Sequence, residues 1–313
     1  MPSSLPGIWP EPVAVTGLGC VSPLGMDLEE NLLSLQKGHD AAAPVTLFST
    51  KNCRCQKAAQ LPDPDVSQAD KISPRAKYWH RSTRMLLAAT HEACSTAKLN
   101  QKSLPSRWIV GSTSGGMSAG EDFSRFTLKS PPSHKNRRTV QAYLPQTPLH
   151  LVANHFGWDC ETILISNACA SGGNAIGHAA RLIALGQENL IVCGGYDTLS
   201  QLVFAGFDCL QASSPDSCRP FDQNRSGLML GEGAAVLVLE KMTHALDRKA
   251  PILGTINGYG AVNDNHHLTQ PDPGGLGSIA SMQHALHSAN WTASSIDYIN
   301  AHGTGTPLND ASE

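Results

Sequence analysis

Two residues in this sequence sit where their type and surroundings suit chemistry. Cys169 lies in "ISNACASGGNAIGHAARLIALG" (165–186), and His302 lies in "AHGTGTPLND" (301–310). Around the cysteine an apolar run, "TILIS", breaks into small residues and then into a helical pattern. Eight of the eleven residues from Ala168 to His178 are Ala, Ser, Gly or Cys169 itself, so little side chain stands between the thiol and an approaching ligand. A thiol at a helix start meets unpaired backbone N–H groups and the positive end of the helix dipole. Both favour thiolate, the nucleophilic form. A sharp strand-to-helix elbow exposes such a nucleophile, and its backbone N–H can face a developing oxyanion. His302 follows an apolar strand pattern and precedes Gly303, Thr304, Gly305 and Thr306, a loop of hydroxyls and open backbone suited to a polar ligand. A neutral imidazole there can donate a hydrogen bond to a carbonyl or a leaving carboxylate.

The elements that must position these two residues alternate. Strands are expected at the start of 13–25 and of 107–117, at 161–166, 189–197, 234–240 and 251–264, and at the start of 296–310. Helices are expected at 27–38, 81–99, 147–157, 172–187 and 275–291, with Asp27 capping the first and Gly157 closing the third. The order argues an α/β fold whose strands are buried on both faces. Residues 44–75 lack periodicity and read as an irregular excursion. "VAVTGLGCVSPLG" (13–25) reads as a strand entering a Gly-rich turn. Gly17 and Gly19 are followed by Ser22 where a dinucleotide loop needs a third glycine, which argues against a nicotinamide site.

Composition narrows the function class. The chain has 313 residues, 41% apolar and 16% charged, with a formal net charge of −3. That balance leaves no electrostatic footprint for nucleic acid. The most basic run, "HKNRR" (134–138), reads as a solvated loop, with docking of an acidic carrier as the alternative. No apolar run approaches the ~20 residues that span a bilayer. The opening "MPSSLPGIWPEP" has no leader pattern, so a cytoplasmic location is the default expectation. Nine cysteines at irregular spacing read as reduced thiols. "CRC" (53–55) has no second ligand pair at finger spacing, so no metal is expected.

Four motifs in order carry a resemblance: "VAVTGLGCVSPLG", "NACASG", "RPFDQNRSGLMLGEGAAVLVLE" and "AHGTGTPLNDASE". The sequence from Val13 to Glu313 resembles the β-ketoacyl-acyl carrier protein synthases of the elongating, condensing branch. The resemblance implies a thiolase-like fold of two similar halves, each with a five-stranded mixed sheet, in an α-β-α-β-α layering. Residues 11–250 would form the N-terminal half, and residues 251–313 would begin the C-terminal one. It implies a homodimer, or a heterodimer with a related synthase, and acyl carrier protein as partner. No cofactor is implied beyond the carrier's phosphopantetheine. The nucleophile carries over to Cys169 and the first active-site histidine to His302. Thr304 and Thr306 match threonines that contact the pantetheine arm. Phe207 matches an aromatic near the acyl pocket, with core packing as the alternative. Glu313 matches a glutamate that pairs with the family's active-site lysine. Asp222, Arg225, Gly231 and Glu232 match a segment that holds turns and buried ion pairs. His266 and His267 fall in a histidine-containing loop at the cavity edge.

The sequence departs from the family's pattern in one respect. The Lys-Ser-x-x-Gly-His segment, with its lysine and second histidine, and the "GFGG" loop are absent, so the second half is expected to be incomplete and condensation impaired. A non-catalytic partner subunit, or an inactive fragment of a ketosynthase dimer, is the competing reading. Partners of that kind typically replace the nucleophile, and Cys169 is present. A cysteine hydrolase is a third reading, which would need an Asp or Asn orienting the histidine.

Overall fold

The computed structural model describes residues 7–61, 68–100, 103–129, 131, 140–267 and 269–313. The "HKNRR" run lies outside them. The main sheet is mixed and six-stranded: β1 (Val13–Val21), β4 (Arg107–Gly111), β5 (Glu161–Ile165), β6 (Leu190–Asp197), β7 (Gly233–Lys241) and β8 (Gly254–Ile256), in the order β5-β4-β6-β7-β1-β8. β4 pairs in parallel with β5 and β6, while β7 runs antiparallel to β6 and β1. The parallel strands therefore end together, at Gly111, Ile165 and Asp197. Ligands of open α/β sheets bind outside such carboxyl ends.

Helices cover both faces. α3 (Arg81–Thr96) and α5 (Thr147–Phe156) pack on one, burying Met85, Leu86, Leu149 and Val152 against Trp108, Val192 and Val236. α6 (Ser171–Ala184) packs on the other, burying Ala175, Ala179 and Ile183 against Ile109, Ile191 and Leu239. The strands between are near-continuous apolar runs because neither face meets water. α1 (Leu28–Gln36) starts where expected, the Asp27 carboxylate accepting from the Glu30 N–H at 2.8 Å. α5 ends at Gly157, whose φ of 67° is the left-handed conformation that glycine adopts without strain.

Several expectations are corrected. Gly17 and Gly19 lie inside β1, not in a turn. A Cβ on Gly19 would sit 2.0 Å from the Ala89 carbonyl oxygen of α3, so the glycines serve close strand–helix contact. The 44–75 excursion holds structure: β2 (Ala42–Pro44) pairs with β3 (Lys57–Ala59), and α2 (Gln68–Ile72) follows. The strand expected over 251–264 shrinks to β8. Residues 296–301 form no strand, because among the described residues they find no neighbour to complete a ladder. Tyr298 and Ile299 stay 81% and 64% exposed. β1, β4, β5, β6 and β7 make the mixed sheet expected of one half, and β8 extends its edge. Beyond α4 (Met117–Thr127), α7 (Gln201–Cys209) and α8 (Met242–Asp247), the later residues add α9 (Leu276–Ala289) and α10 (Pro307–Ser312), but no second large sheet among those described.

Two buried carboxylates knit the fold together. Glu232 pairs with Arg81 at 2.5 Å and accepts the Leu61 N–H at 2.9 Å, joining the residue before β7 to α3 and the loop after β3. Glu240 of β7 takes Arg248, His244 and Thr16, and Arg248 also donates to the Ala97 carbonyl at 2.8 Å. Burial pushes the Glu240 carboxyl up, but hydrogen bonds and charge from Arg248, with help from Thr16 and His244, together outweigh it and hold the group below its ordinary range.

Candidate active site

Cys169 sits one residue before the cap of α6, on the elbow that leaves β5. Ala168 takes φ = 55°, a left-handed conformation that costs a non-glycine residue about 1–2 kcal/mol. Hydrogen bonds hold it there. The Ala168 carbonyl accepts from Ser171 Oγ at 2.7 Å and from Thr113 Oγ1 at 2.9 Å, while Ser171 Oγ accepts the Asn167 N–H at 2.9 Å. The bare sequence also has a packing reason. A Cβ on Gly111 would lie 2.2 Å from the Ser171 carbonyl, so the start of α6 can press against the end of β4 only if glycine stands there. The thiol is exposed.

His302 reaches the thiol from the far end of the sequence. A hydrogen bond between the two side chains is the main reason the Cys169 thiol is held below its ordinary range. It outweighs partial desolvation, and Asp197 opposes it. The same bond raises the His302 imidazole above its ordinary value, with Glu313 and Asp310 adding to the rise. The pair can thus supply a nucleophilic sulfur and a proton donor at one point.

The loop that carries His302 is tightly tied. Glu313 accepts the N–H groups of His302 and Gly303 at 2.7 and 2.8 Å. Gly303 and Gly305 take φ of 52° and 73°, and a Cβ on Gly305 would come 2.9 Å from the Gly227 carbonyl oxygen. Thr304 and Thr306 join their hydroxyls at 2.9 Å. Asp310 has a buried side chain and accepts the Phe221 and Gly305 N–H groups at 2.7 and 3.1 Å. Burial pushes its carboxyl up, but these bonds and Arg225 outweigh that and leave it below its ordinary range.

The segment 219–232 wires this loop to the first half. Arg225 donates to the Thr306 and Pro307 carbonyls at 3.3 and 2.9 Å and stands 3.7 Å from Asp310. The Gly227 N–H donates to the Gly305 carbonyl at 3.0 Å. Among the described residues Asp222 makes no buried ion pair. It is exposed and caps its own turn, accepting the Asn224 N–H at 2.6 Å.

Two cavities open on Cys169. One, of about 210 Å³, is lined by Ser114, Thr198, Val203, Leu230 and Phe207, so Phe207 does face the cysteine's cavity. The other, of about 390 Å³, runs past Gly111, Gly172, Gly195 and Cys20, with Gly231 on its wall. His266 and His267 are not brought to either. Both are exposed, and the His267 ring accepts the Thr269 N–H at 3.2 Å within its own turn. Asp197, Thr113, Ser171 and Asp310 are the site residues that sequence reasoning missed. Asp197 alone had a legible signal, as the polar residue closing the strand "LIVCGGYD".

Comparison with known proteins agrees with this geometry. Residues 10–245 match the beta-ketoacyl synthase N-terminal domain, and residues 253–313 match its C-terminal domain. The "3-oxoacyl-[acyl-carrier-protein] synthase 2" of Synechocystis sp. is 33% identical over 96% of this chain and 74% of its own length. Among solved structures, the ishigamide ketosynthase/chain length factor superposes with a TM-score of 0.89 at 30% identity, over 96% of this chain and 75% of the other. A beta-ketoacyl synthase from Burkholderia phymatum gives 0.84 at 32% identity, over 97% and 76%. The fold is thiolase-like. The chain belongs to the beta-ketoacyl synthase family and spans about three quarters of the length of these relatives.

Proposed function

We propose that this chain is a 3-oxoacyl-acyl carrier protein synthase that loads an acyl group on Cys169 and extends it by decarboxylative condensation. The observation that carries the reading is Cys169 on a strained elbow facing a cavity, with His302 the largest influence favouring its thiolate. In loading, the Cys169 thiolate attacks the acyl thioester carbonyl. The carrier's pantetheine sulfur leaves and takes a proton from His302. In extension, a malonyl thioester loses CO₂. The resulting carbanion forms a carbon–carbon bond to the acyl carbonyl, and the Cys169 sulfur leaves. The covalent stage divides one difficult condensation into two easier steps.

Thr304 and Thr306 are the residues assigned to the pantetheine arm, and Phe207 to the acyl chain. Glu313, Arg225 and Glu232 support them by fixing loops. The partner is acyl carrier protein, as the name of the Synechocystis relative supports. A second copy, or a related synthase, pairs with the chain. β5 leaves one edge of the sheet free for such a partner. No cofactor or metal takes part beyond the carrier's own arm. Among the described residues no helix is long and apolar enough to cross a membrane, and all nine cysteines are free thiols, which suits a cytoplasmic site of action.

A second reading has one observation in its favour: the likeness to the ishigamide ketosynthase/chain length factor admits a non-catalytic partner role. Incubation with acyl-carrier and malonyl-carrier thioesters separates the two. The proposed activity yields a carrier-bound 3-oxoacyl chain lengthened by two carbons and lost with Cys169→Ala. Acylation of Cys169 without that product favours the partner role. Release of free acid alone contradicts both.

A further inference from the structure

Asp197 closes β6 and lies beside Cys169 on the wall of both cavities. Its Oδ1 accepts five hydrogen bonds from the loop after β4: the Ser112 hydroxyl at 3.0 Å, the Thr113 N–H at 3.0 Å, the Ser114 N–H at 2.7 Å, the Ser114 hydroxyl at 2.9 Å and the Gly115 N–H at 2.8 Å. Successive N–H groups gathered on one oxygen form an anion nest, here filled by a side chain of the protein itself. The loop so gathered reaches the nucleophile, because Thr113 Oγ1 donates to the Ala168 carbonyl at 2.9 Å. Ala168 is the residue held at φ = 55°.

We propose that Asp197 is a positioning residue for the nucleophile: one carboxylate oxygen organises the 112–115 loop, and through Thr113 that loop holds the elbow that aims Cys169 at His302. The inference deepens the proposed function and rests on Cys169 being the residue that is loaded. Two effects of Asp197 then act in opposite directions. Its hydrogen bonds hold the elbow where His302 stabilises thiolate. Its negative charge, close to the sulfur, opposes thiolate. The other groups acting on the pair are the amide of Cys169, His302 from its loop, and Glu313 and Asp310 from the chain end through His302.

The two effects separate by mutation, because among the described residues every hydrogen bond to the Asp197 side chain falls on Oδ1. Asp197→Asn can keep that oxygen and loses the charge. Asp197→Ala loses both, while Thr113→Val keeps the carboxylate and cuts the loop's hydroxyl links to the elbow, to the Ala168 carbonyl and to Ser171 Oγ at 3.1 Å. The readout is the pH dependence of iodoacetamide labelling at Cys169, followed by peptide mass, with thermal melting as a control for folding. Asp197→Asn is expected to shift the labelling profile to lower pH without a loss of melting temperature. Asp197→Ala and Thr113→Val are expected to shift it to higher pH. Should the alanine variant fail to fold, the asparagine and Thr113→Val variants carry the test. Shifts of Asp197→Asn and Thr113→Val in the same direction, or profiles that coincide with the wild type, overturn the proposal. Labelling needs no carrier and no turnover, so this outcome is independent of whether acyl loading succeeds.

Discussion

His302→Ala is expected to slow acyl loading of Cys169 at neutral pH by about 10²- to 10⁴-fold, the range for removing a positioned proton-transfer group. The hydrogen bond between the two side chains is the largest influence lowering the thiol's pKa. Without it, desolvation and the Asp197 charge both act against thiolate. The pH dependence follows with a definite sign. In the wild type, Cys169 reacts with iodoacetamide at lower pH than an ordinary thiol. Cys94, Cys160 and Cys193 lie at the other extreme, with burial pushing Cys160 up to about 11 and Cys94 to about 12, and Cys193 higher still. His302→Ala moves the Cys169 profile to higher pH. The depressed thiol pKa also contributes to folding: that stabilisation is present above the unfolded thiol's value and is lost as pH falls through the folded one. Competitive labelling across pH, read peptide by peptide, checks the claim. A Cys169 profile unchanged by the substitution would remove His302 from the account.

Glu232→Ala carries the largest expected effect on stability, a loss of about 3–5 kcal/mol. Its carboxylate is fully buried and neutralises Arg81, whose side chain is itself only 14% exposed. Removal leaves a largely buried guanidinium with one described acceptor, the Leu61 carbonyl at 3.1 Å. It also strands the N–H groups of Leu61 and Leu199. The loss extends to function, because Leu199 lines the cavity beside Cys169. Urea unfolding of the variant beside the wild type measures it. A change below about 1 kcal/mol would place the pair with ordinary surface salt bridges.

The parts of this site that were legible in the sequence are those written in short local strings. The elbow at Cys169 follows from an apolar run that breaks into small residues. The His302 loop follows from alternating glycine and threonine. The contacts that hold these strings in place were not legible, because they join distant positions. Asp197 meets Ser112 across 85 positions, and Arg225 meets Thr306 across 81. Two glycines misled for a related reason. Gly17 and Gly19 look like turn residues until α3 is seen to lie against them, 70 or more positions away in the chain. The strand expected at 296–301 has the right residue types and lacks a neighbour, and pattern alone does not report pairing. His267 shows the reverse error: a reactive residue type in an exposed turn, with nothing to carry it to the cavity.

The most direct test of the central claim, that Cys169 is an acyl-accepting nucleophile paired with His302, is the intact mass of the purified chain after incubation with an acyl-carrier thioester, beside a Cys169→Ala control. The account predicts a mass gain of one acyl group in the wild type and none in the control. A folded protein that gains no mass, or a control that gains it equally, would contradict it.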